Sequence, residues 1–307
     1  MDTFIQQLIN GLVLGSMYAL VALGYTMVYG IINLINFAHG EVLMVGALVS
    51  WSVVTALGDT GWPGWLLLSL SLLAAMAVCM ALNFLIEKLA YRPLRNAPRL
   101  APLITAMGMS LLLQTLAMIL WKPDYKPYPI LLPDEPWEVM GATINLVQVL
   151  ILGVTAVTLA GLMALIHGTS LGRAMRATAE NPKVAQLMGV RPDRVISATF
   201  MIGAALAALA GVMWAANYGS VQHTMGFLPG LKAFTAAVFG GIGNLGGAVV
   251  GALLLGLIES LGAGYIGDLT GGVLGSNYQD IFAFTVLILV LTLRPQGLLG
   301  ERVADRA

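Results

Sequence analysis

The stretch GRAMRATAENPKVAQLMGVRPDR, residues 172–194, is the longest hydrophilic run in a chain otherwise dominated by apolar residues. An excess of basic residues in a short loop is typical of the cytoplasmic side of a membrane protein. Ala, Met, Leu and Arg favour helix, whereas Asn181-Pro182 can end one helix and begin the next. We therefore predict two short cytoplasmic helices with a kink, although a solvated loop that only orients two spans would also fit the charge. The charged residues of the stretch are Arg173, Arg176, Lys183, Arg191, Arg194, Glu180 and Asp193.

The composition excludes an ordinary soluble fold. The 307 residues are 58% hydrophobic and 10% charged, with a mean hydropathy of +0.87, whereas soluble domains carry about 25% charged residues. The net charge is zero, so the overall charge balance indicates neither a nucleic-acid partner nor an acidic ligand. Cys79 is the single cysteine, which excludes an internal disulfide and a cysteine-based metal cluster. The first apolar run follows Asp2 without a preceding Lys or Arg, so we expect it to remain in the mature protein.

Apolar stretches near the roughly 20 residues needed to cross a bilayer predict an all-α, polytopic membrane protein with about eight spans. Two shorter apolar pieces, residues 25–35 and 231–242, resemble halves of broken helices. The whole chain, residues 1–307, is expected to form a single transmembrane domain. The predicted spans are residues 5–23, 42–55, 65–86, 102–120, 146–166, 195–216, 246–261 and 281–293.

Loop charges predict the orientation of these spans. Three basic regions are expected in the cytoplasm, and the loops 121–137 and 217–229 are expected outside. The N-terminus would then be cytoplasmic if residues 25–50 cross the membrane twice, and outside if they cross it once. The basic regions are residues 172–194, the loop with Lys88, Arg92, Arg95 and Arg99, and the C-terminus with Arg294, Arg302 and Arg306.

The two broken regions share a weak internal repeat, YGIIN at residues 29–33 and FGGIGN at residues 239–244. Paired interrupted spans in corresponding halves of a chain indicate a transport pathway, because irregular backbone at membrane depth is tolerated only inside protein or against water. Gly240, Gly243, Asn244 and Gly247 are therefore candidate pathway or gating residues. The alternative is that glycine only allows helices to pack closely. We favour that alternative for Gly11, Gly15, Gly243, Gly247 and Gly251.

A second group of candidate pathway residues, Asn33, Asn36, His39 and Glu41, lies in an otherwise apolar stretch. Such groups should face the protein interior, a partner subunit or a water-filled cavity. His39 and Glu41 could form a proton relay. We favour a structural role, in which Asn36 and His39 cap a half-helix beginning near Gly40 and Glu41 lies in its first turn. Glu259 is expected near the outer end of its span, where solvent is close.

Enzyme signatures are absent from the sequence. It contains no G-x-x-x-x-G-K-[ST] loop to bind nucleotide phosphates and no H-E-x-x-H zinc motif. His39, His167 and His223 lie on different segments, so they do not suggest a metal site. We therefore expect a chain that is not an enzyme and binds no cofactor itself.

Five stretches together resemble the LivH-type permease subunits of bacterial branched-chain amino acid ABC importers. The resemblance extends from the first span to Arg294-Pro295 and implies a permease fold of the type II ABC importer kind. The stretches are INFAHGEVLMVGA (residues 35–47), AYRPLR (90–95), GRAMRATAENPKVAQLMGV (172–190), ATFMIGAALAALAGV (198–212) and KAFTAAVFGGIGNLGGAVVGALLLGLIE (232–259).

The resemblance implies partners as well as a fold. It implies a bacterial inner membrane location, a second related permease subunit, two cytoplasmic ATPases that bind ATP and Mg, and a periplasmic substrate-binding protein. Permeases for urea or short amides are similar in sequence, and an ion-coupled carrier or a membrane scaffold remain alternatives from other classes. By the same resemblance, the residues that match the cytoplasmic coupling motif are Arg176, Ala177, Glu180, Asn181, Ala185 and Gly189.

Overall fold

A computed structural model describes residues 2–95, 97–98, 100–133, 135–139, 141–271, 278–294 and 296–300. The described chain is a bundle of helices with two small antiparallel strand pairs. Arg99, Asp134, Arg302 and Arg306 lie outside the described residues. The α-helices are α1 (Asp2–Ile32), α2 (His39–Leu57), α3 (Gly64–Ile86), α4 (Leu100–Trp121), α5 (Leu146–Gly168), α6 (Ser170–Glu180), α7 (Pro182–Leu187), α8 (Pro192–Tyr218), α9 (Phe227–Gly240), α10 (Leu245–Leu269) and α11 (Gln279–Leu293), and the strands are β1 (Lys126–Pro127), β2 (Trp137–Val139), β3 (Ala142–Ile144) and β4 (Ser220–Val221). Short helical turns follow α2 (Gly58–Thr60, 3-10) and α3 (Glu87–Tyr91, π, and Arg92–Leu94, 3-10), so the predicted basic loop begins as helix.

The prediction of an all-α, polytopic membrane protein is confirmed. Among the described residues, seven helices are long and apolar enough to cross a membrane: α1, α2, α3, α4, α5, α8 and α10. The predicted span at residues 281–293 corresponds to α11, which has 15 residues. At 1.5 Å per residue it covers only about 22 Å of a hydrocarbon layer about 30 Å thick. α11 is therefore a shorter apolar helix, like α9.

The prediction of a separate half-helix at residues 25–35 is wrong, because α1 continues without interruption to Ile32. Gly24 does not break it; a Cβ there would collide with His39 Nε2, so the glycine allows α2 to approach. The break comes at Asn33, whose φ is 51°. His39 lies beside Gly24, so residues 33–38 run back along the end of α1. α2 therefore begins level with Gly24, inside the bundle, and not level with the end of α1 at Ile32.

Small residues bring the central helices into backbone contact. A Cβ at Gly11 or Gly15 would lie 2.8 or 2.7 Å from the Cα of Leu257 or Leu253, so α1 and α10 touch along this ridge. Close packing of Gly11 and Gly15, predicted from the sequence, is confirmed. Bulkier side chains there would hold the two helices apart.

Burial separates an inner layer of helices from an outer one. In their apolar windows, 89% of α1 and 83% of α8 are buried, against 28% of the span containing α3, 22% of α4 and 17% of α5. The inner helices therefore form the core, and α3, α4 and α5 present apolar surface to lipid or to another subunit.

Loop contacts divide the molecule into two ends. At one end β1 pairs with β4, with Lys126 opposite Val221, and Gln6 of α1 bonds to Thr143. We call this the strand end; it contains both loops that were predicted to lie outside. The opposite end carries α6, α7 and the basic loop after α3. Because α1 begins at the strand end, the N-terminus shares that side, as expected if residues 25–50 make one crossing.

Candidate functional site

The two broken regions lie side by side. A Cβ at Gly30 would lie 3.7 Å from the Cα of Gly243. Between α9 and α10 the chain turns through Gly241 and Gly243, whose φ angles are 107° and 94°. Asn244 then caps α10, accepting a hydrogen bond from the Gly247 amide at 3.0 Å. The repeat seen in the sequence therefore corresponds to two adjacent chain breaks near one end of the bundle.

The glycines of this region have two different roles. Gly240 and Gly247 pack backbone to backbone, since a Cβ on Gly247 would lie 2.5 Å from the Gly240 carbonyl oxygen. Gly251 packs against α9 in the same way, because a Cβ there would collide with the Ala236 carbonyl oxygen. Gly243 differs, because it precedes α10 and a Cβ there would meet open space. The prediction that Gly243 belongs to a packing ridge is wrong; its positive φ is what requires glycine.

The predicted capping of α2 by Asn36 and His39 is also wrong. The N-cap residue is Ala38, and no side chain caps the helix. Asn36 Oδ1 instead accepts hydrogen bonds from the Tyr91 hydroxyl at 2.6 Å and the Ala38 amide at 3.2 Å. His39 is buried, with its ring edge-on to Tyr25 at 4.8 Å between centroids. These contacts hold the re-entering segment against α1 and against the helical turn that follows α3.

Glu41 lies in the first turn of α2, as predicted, and is buried. Its Oε1 accepts hydrogen bonds from Ser110 Oγ at 3.1 Å and Gln114 Nε2 at 2.8 Å. Both donors belong to α4, so the carboxylate bonds to α4 and not to His39. This arrangement favours a structural role over a proton relay.

Glu259 lies within α10 and is buried, so the prediction that it lies near the outer end of its span is wrong. The residue is 2% exposed. It accepts a hydrogen bond from the Tyr18 hydroxyl at 3.1 Å and pairs with Lys232 of α9 at 2.6 Å. Lys232 also pairs with Asp280 at the start of α11, again at 2.6 Å. Charged residues in apolar segments could have drawn attention to Lys232 and Asp280, but their pairing across three segments is not visible in the sequence.

A cavity of about 1100 Å³ leads from the loops of the strand end to this ion cluster. α1, α4, α8, α9 and α10 contribute to its walls, together with the starts of α5 and α11 and the 222–225 loop. The charged members of its described lining are Lys232, Glu259 and Asp280. Its polar and aromatic lining includes Asn10, Tyr18, Gln114, Asn145, Gln148, Trp214, Asn217, Tyr218, Gln222, Thr224 and Phe227.

The basic stretch at residues 172–194 forms two short helices, α6 and α7, as predicted. Asn181 separates them with an extended backbone, and its side chain accepts hydrogen bonds from the amides of Lys183 and Val184 at 3.0 and 3.2 Å. Thr169 caps α6 through the Gly172 amide at 3.0 Å. Gly189 ends the segment with a φ of 85°, and α8 follows at Pro192.

Most of the predicted coupling residues lie on the outer surface of α6 and α7, namely Arg176, Ala177, Glu180, Asn181 and Gly189. Ala185 is the exception, because it is 3% exposed and packs inward. It therefore supports the packing of α7 and is not itself a surface on which a partner can dock, contrary to the prediction. Arg176 donates to the Ile166 carbonyl, which ties α6 to the end of α5. Sequence reasoning missed the exposed apolar side chains of this surface, Val184, Leu187 and Met188.

An ion network joins the basic loop to the start of α8. Asp193 pairs with Arg92 at 3.0 Å and with Arg95 at 2.6 Å. Arg95 also pairs with Glu87, which accepts a hydrogen bond from Ser197 at 2.7 Å. The segment that follows α3 and the beginning of α8 are therefore held together.

Comparison with known families identifies the kind of protein. The family described as "Branched-chain amino acid transport system / permease component" matches residues 7–291, most of the chain. The chain belongs to this permease family. The resemblance inferred from the sequence is confirmed.

Relatives match the permease over its whole length. It is 47% identical to the high-affinity branched-chain amino acid transport system permease protein BraD of Pseudomonas aeruginosa, over 99% of this chain and 98% of that protein. It is 45% identical to the corresponding permease protein LivH of Escherichia coli, over 99% and 97% of the two chains. A probable branched-chain amino acid permease of Methanocaldococcus jannaschii is 28% identical over 95% of this chain and 91% of that protein. No solved structure matches the permease.

A permease component is the membrane-embedded part of a transport system. The helices long enough to span a membrane agree with this assignment. Its relatives are permease proteins, which agrees with the expectation that this chain is not an enzyme. A permease component also implies further components of the same system.

Proposed function

We propose that this permease forms the translocation pathway for branched-chain or related hydrophobic amino acids in an ABC importer. The observation that carries the proposal is its 47% and 45% identity, over nearly the whole chain, to permease proteins named for that transport. These names favour branched-chain amino acids over urea or short amides. The large cavity from the strand end to the bundle interior offers a route for a small solute.

The partners are a second related permease, two cytoplasmic ATPases that bind ATP and Mg, and a periplasmic binding protein. The surface of α6 and α7 supports docking of an ATPase. It combines exposed Arg176 and Glu180 with the apolar side chains of Leu187 and Met188, which are 86% and 81% exposed. The apolar outer faces of α3, α4 and α5 leave room for lipid and for the second permease.

The protein resides in the bacterial inner membrane, with the end that carries α6 and α7 in the cytoplasm. Support comes from the basic residues of that end and from the two loops at the strand end, which lack a basic excess. The 121–137 loop carries both acidic and basic residues, and the 217–229 loop contains no Lys, Arg, Asp or Glu. In this orientation the 1100 Å³ cavity opens to the periplasm, where a binding protein releases its ligand.

Uptake of radiolabelled leucine, isoleucine and valine tests the function. The permease and its partner subunits are expressed in a strain that lacks its own transport of these amino acids. We expect ATP-dependent uptake that disappears when this chain alone is omitted. Uptake of urea or short amides, without amino-acid uptake, would contradict the proposal.

The purified single chain should not hydrolyse ATP. Its sequence contains no phosphate-binding loop of the G-x-x-x-x-G-K-[ST] type. Hydrolysis should appear only with the assembled transporter, in a phosphate-release assay with a mock-purified control. Hydrolysis by the chain alone, above that control, would show that a nucleotide site had been overlooked.

A further inference from the structure

We infer that the Lys232–Glu259–Asp280 cluster binds the zwitterionic backbone of an amino acid at the inner end of the large cavity. Lys232 receives the carboxylate, and Asp280 with Glu259 receives the ammonium group. The inference rests on the proposed function and gives the amino acid a site on this chain.

Three helices each contribute one charge to the cluster. Lys232 Nζ lies 2.6 Å from Glu259 Oε1 and 2.6 Å from Asp280 Oδ1. The Tyr18 hydroxyl donates to Glu259 Oε2 at 3.1 Å, and the Tyr18 ring centroid lies 5.9 Å from Nζ. The cluster therefore joins α9, α10 and α11 and is held on its other side by α1.

The three charged side chains of the cluster differ in exposure, and Asp280 is the most exposed of them. The side chains of Glu259 and Lys232 are 3% and 9% exposed, whereas that of Asp280 is 35% exposed. All three line the cavity. An arriving ligand would meet Asp280 first, and this suits the ammonium end of an amino acid.

Helix packing alone explains the cluster poorly. Ionised groups at membrane depth are costly and usually mark a solute or ion pathway. Lys232 and Glu259 alone would neutralise each other, yet Asp280 adds a further negative charge. A zwitterion adds no net charge, and it can satisfy the cation and the surplus anion together by inserting between Lys232 and Asp280.

The cavity wall beside the cluster suits an apolar side chain. Val13, Leu14, Trp214 and Phe227 contribute apolar or aromatic surface to the lining. Sites for small molecules combine such walls with a few well-placed polar groups, in volumes of about 300–1000 Å³. At about 1100 Å³ this cavity can admit a hydrated amino acid. The wall gives affinity for aliphatic side chains, and the charges select the backbone.

The test compares three ligands that differ only in charge. Leucine carries both charges, leucinamide lacks the carboxylate, and 4-methylpentanoate lacks the ammonium group. Each is titrated by saturation-transfer NMR into the assembled transporter in nanodiscs, without binding protein or nucleotide. We expect leucine to bind at millimolar concentrations and to be displaced by the other two.

Two variants should each weaken the binding of a different pair of these ligands. Asp280→Asn should weaken leucine and leucinamide about tenfold and leave 4-methylpentanoate unchanged, as for the loss of one charged hydrogen bond. Lys232→Gln should weaken leucine and 4-methylpentanoate about tenfold and spare leucinamide. Lys122→Gln is the matched control, because Lys122 belongs to the strand end and not to the cavity lining, and it should change nothing.

The outcomes decide between binding and packing. Equal weakening of all three ligands by Asp280→Asn would mean that the cluster only supports the helices, and it would overturn the inference. Absence of leucine binding to the unaltered transporter would also overturn it. If Lys232→Gln fails to assemble, Asp280→Asn decides alone, since it leaves the Lys232–Glu259 pair in place. Leucine uptake by the same unaltered transporter tests the proposed function separately.

Discussion

At the scale of single residues, buried polar side chains connect helices that are distant in sequence. Asn83 donates to the Phe200 carbonyl at 2.7 Å and so joins α3 to α8. Glu41 joins α2 to α4 through Gln114. Hydrocarbon offers no hydrogen-bond partner, so each of these groups takes one from a neighbouring helix. Asn83 and Glu41 therefore connect helices of the bundle, as Asn36 does through Tyr91.

Neutralising Glu41 tests this interpretation. Glu41→Gln keeps an oxygen that can accept from Ser110 or Gln114, so we expect most of the uptake to remain, with a loss of stability of about 1 kcal/mol. Glu41→Leu leaves the donors unpaired and should destabilise by about 1–3 kcal/mol. Leucine uptake and thermal unfolding in detergent measure both effects. Loss of uptake by Glu41→Gln at normal abundance would instead support an ion-coupled carrier.

Two glycines near the chain breaks should respond differently to substitution. Gly243→Ala and Gly243→Leu should reduce stability similarly, by about 1–2 kcal/mol, because the penalty comes from a φ of 94° and not from size. At Gly247 even alanine should be harmful, since its Cβ would lie 2.5 Å from the Gly240 carbonyl oxygen.

Thermal unfolding and uptake of the Gly243 and Gly247 variants measure this difference. Both substitutions at Gly243 should impair transport without preventing membrane insertion. A graded effect of size at Gly243, with Leu far worse than Ala, would contradict the conformational explanation. Normal uptake in both would mean that this glycine is incidental to transport.

At the scale of elements, α6 and α7 form a compact unit attached directly to a span. Met175 and Thr178 pack inward from α6, as does Ala185 from α7. The ion network around Asp193 links the start of α8 to the end of α3. If α6 and α7 dock an ATPase as proposed, we expect their movement to pass to α8 and, through the ion network, to the segment after α3.

Variants on the outer face of α6 and α7 test ATPase docking. Glu180→Arg and Leu187→Glu should weaken ATPase binding or uncouple hydrolysis from uptake, because each places an unfavourable charge on the proposed interface. Ile130→Glu is the matched control; Ile130 is 78% exposed but belongs to the strand end. Co-purification of the ATPase and ligand-stimulated hydrolysis are the measurements.

Ala185→Leu has a different expected outcome. Ala185 is buried, so a larger side chain should disturb α7 itself and lower stability by about 1–3 kcal/mol through overpacking.

If Glu180→Arg and Leu187→Glu both transport normally with unchanged hydrolysis, the docking surface lies elsewhere. The loop that contains Arg92 and Arg95 is then the next candidate.

At the scale of the whole molecule, the connecting segments lie at two opposite ends of the helix bundle. β1 and β4 join the two loops predicted outside, and α6 and α7 lie at the other end. The single native cysteine, Cys79, is buried, so thiol labelling of a cysteine variant reports the accessibility of the added cysteine. The strand end and the cavity mouth should face the same aqueous compartment.

Cysteine labelling measures the orientation. Glu135→Cys and Gln222→Cys, both at the strand end, should react with a membrane-impermeant thiol reagent in intact spheroplasts. Gln186→Cys on α7 is the opposite control and should react only after lysis. Labelling in the reverse pattern would show that the permease is inverted relative to the proposal.

Features that depend on local signals could be predicted from the amino-acid order alone. Apolar length predicted the membrane-spanning helices, and Asn181-Pro182 predicted the division between α6 and α7, because capping and proline geometry act within a few residues. The glycines around residues 240–247 indicated a chain break, which lies between α9 and α10.

Features that depend on contacts between distant segments became visible only in the folded bundle. α1 continues past Gly24, and only the folded structure shows that this glycine makes room for His39 of α2. Glu259 is buried because Lys232 comes from α9 and Tyr18 from α1, and no local pattern encodes such a meeting. The inward position of Ala185 likewise depends on how α7 packs against the rest of the bundle, which no local pattern encodes. A charged side chain can remain at membrane depth only if the fold brings it a partner, so its environment is a property of the assembled bundle.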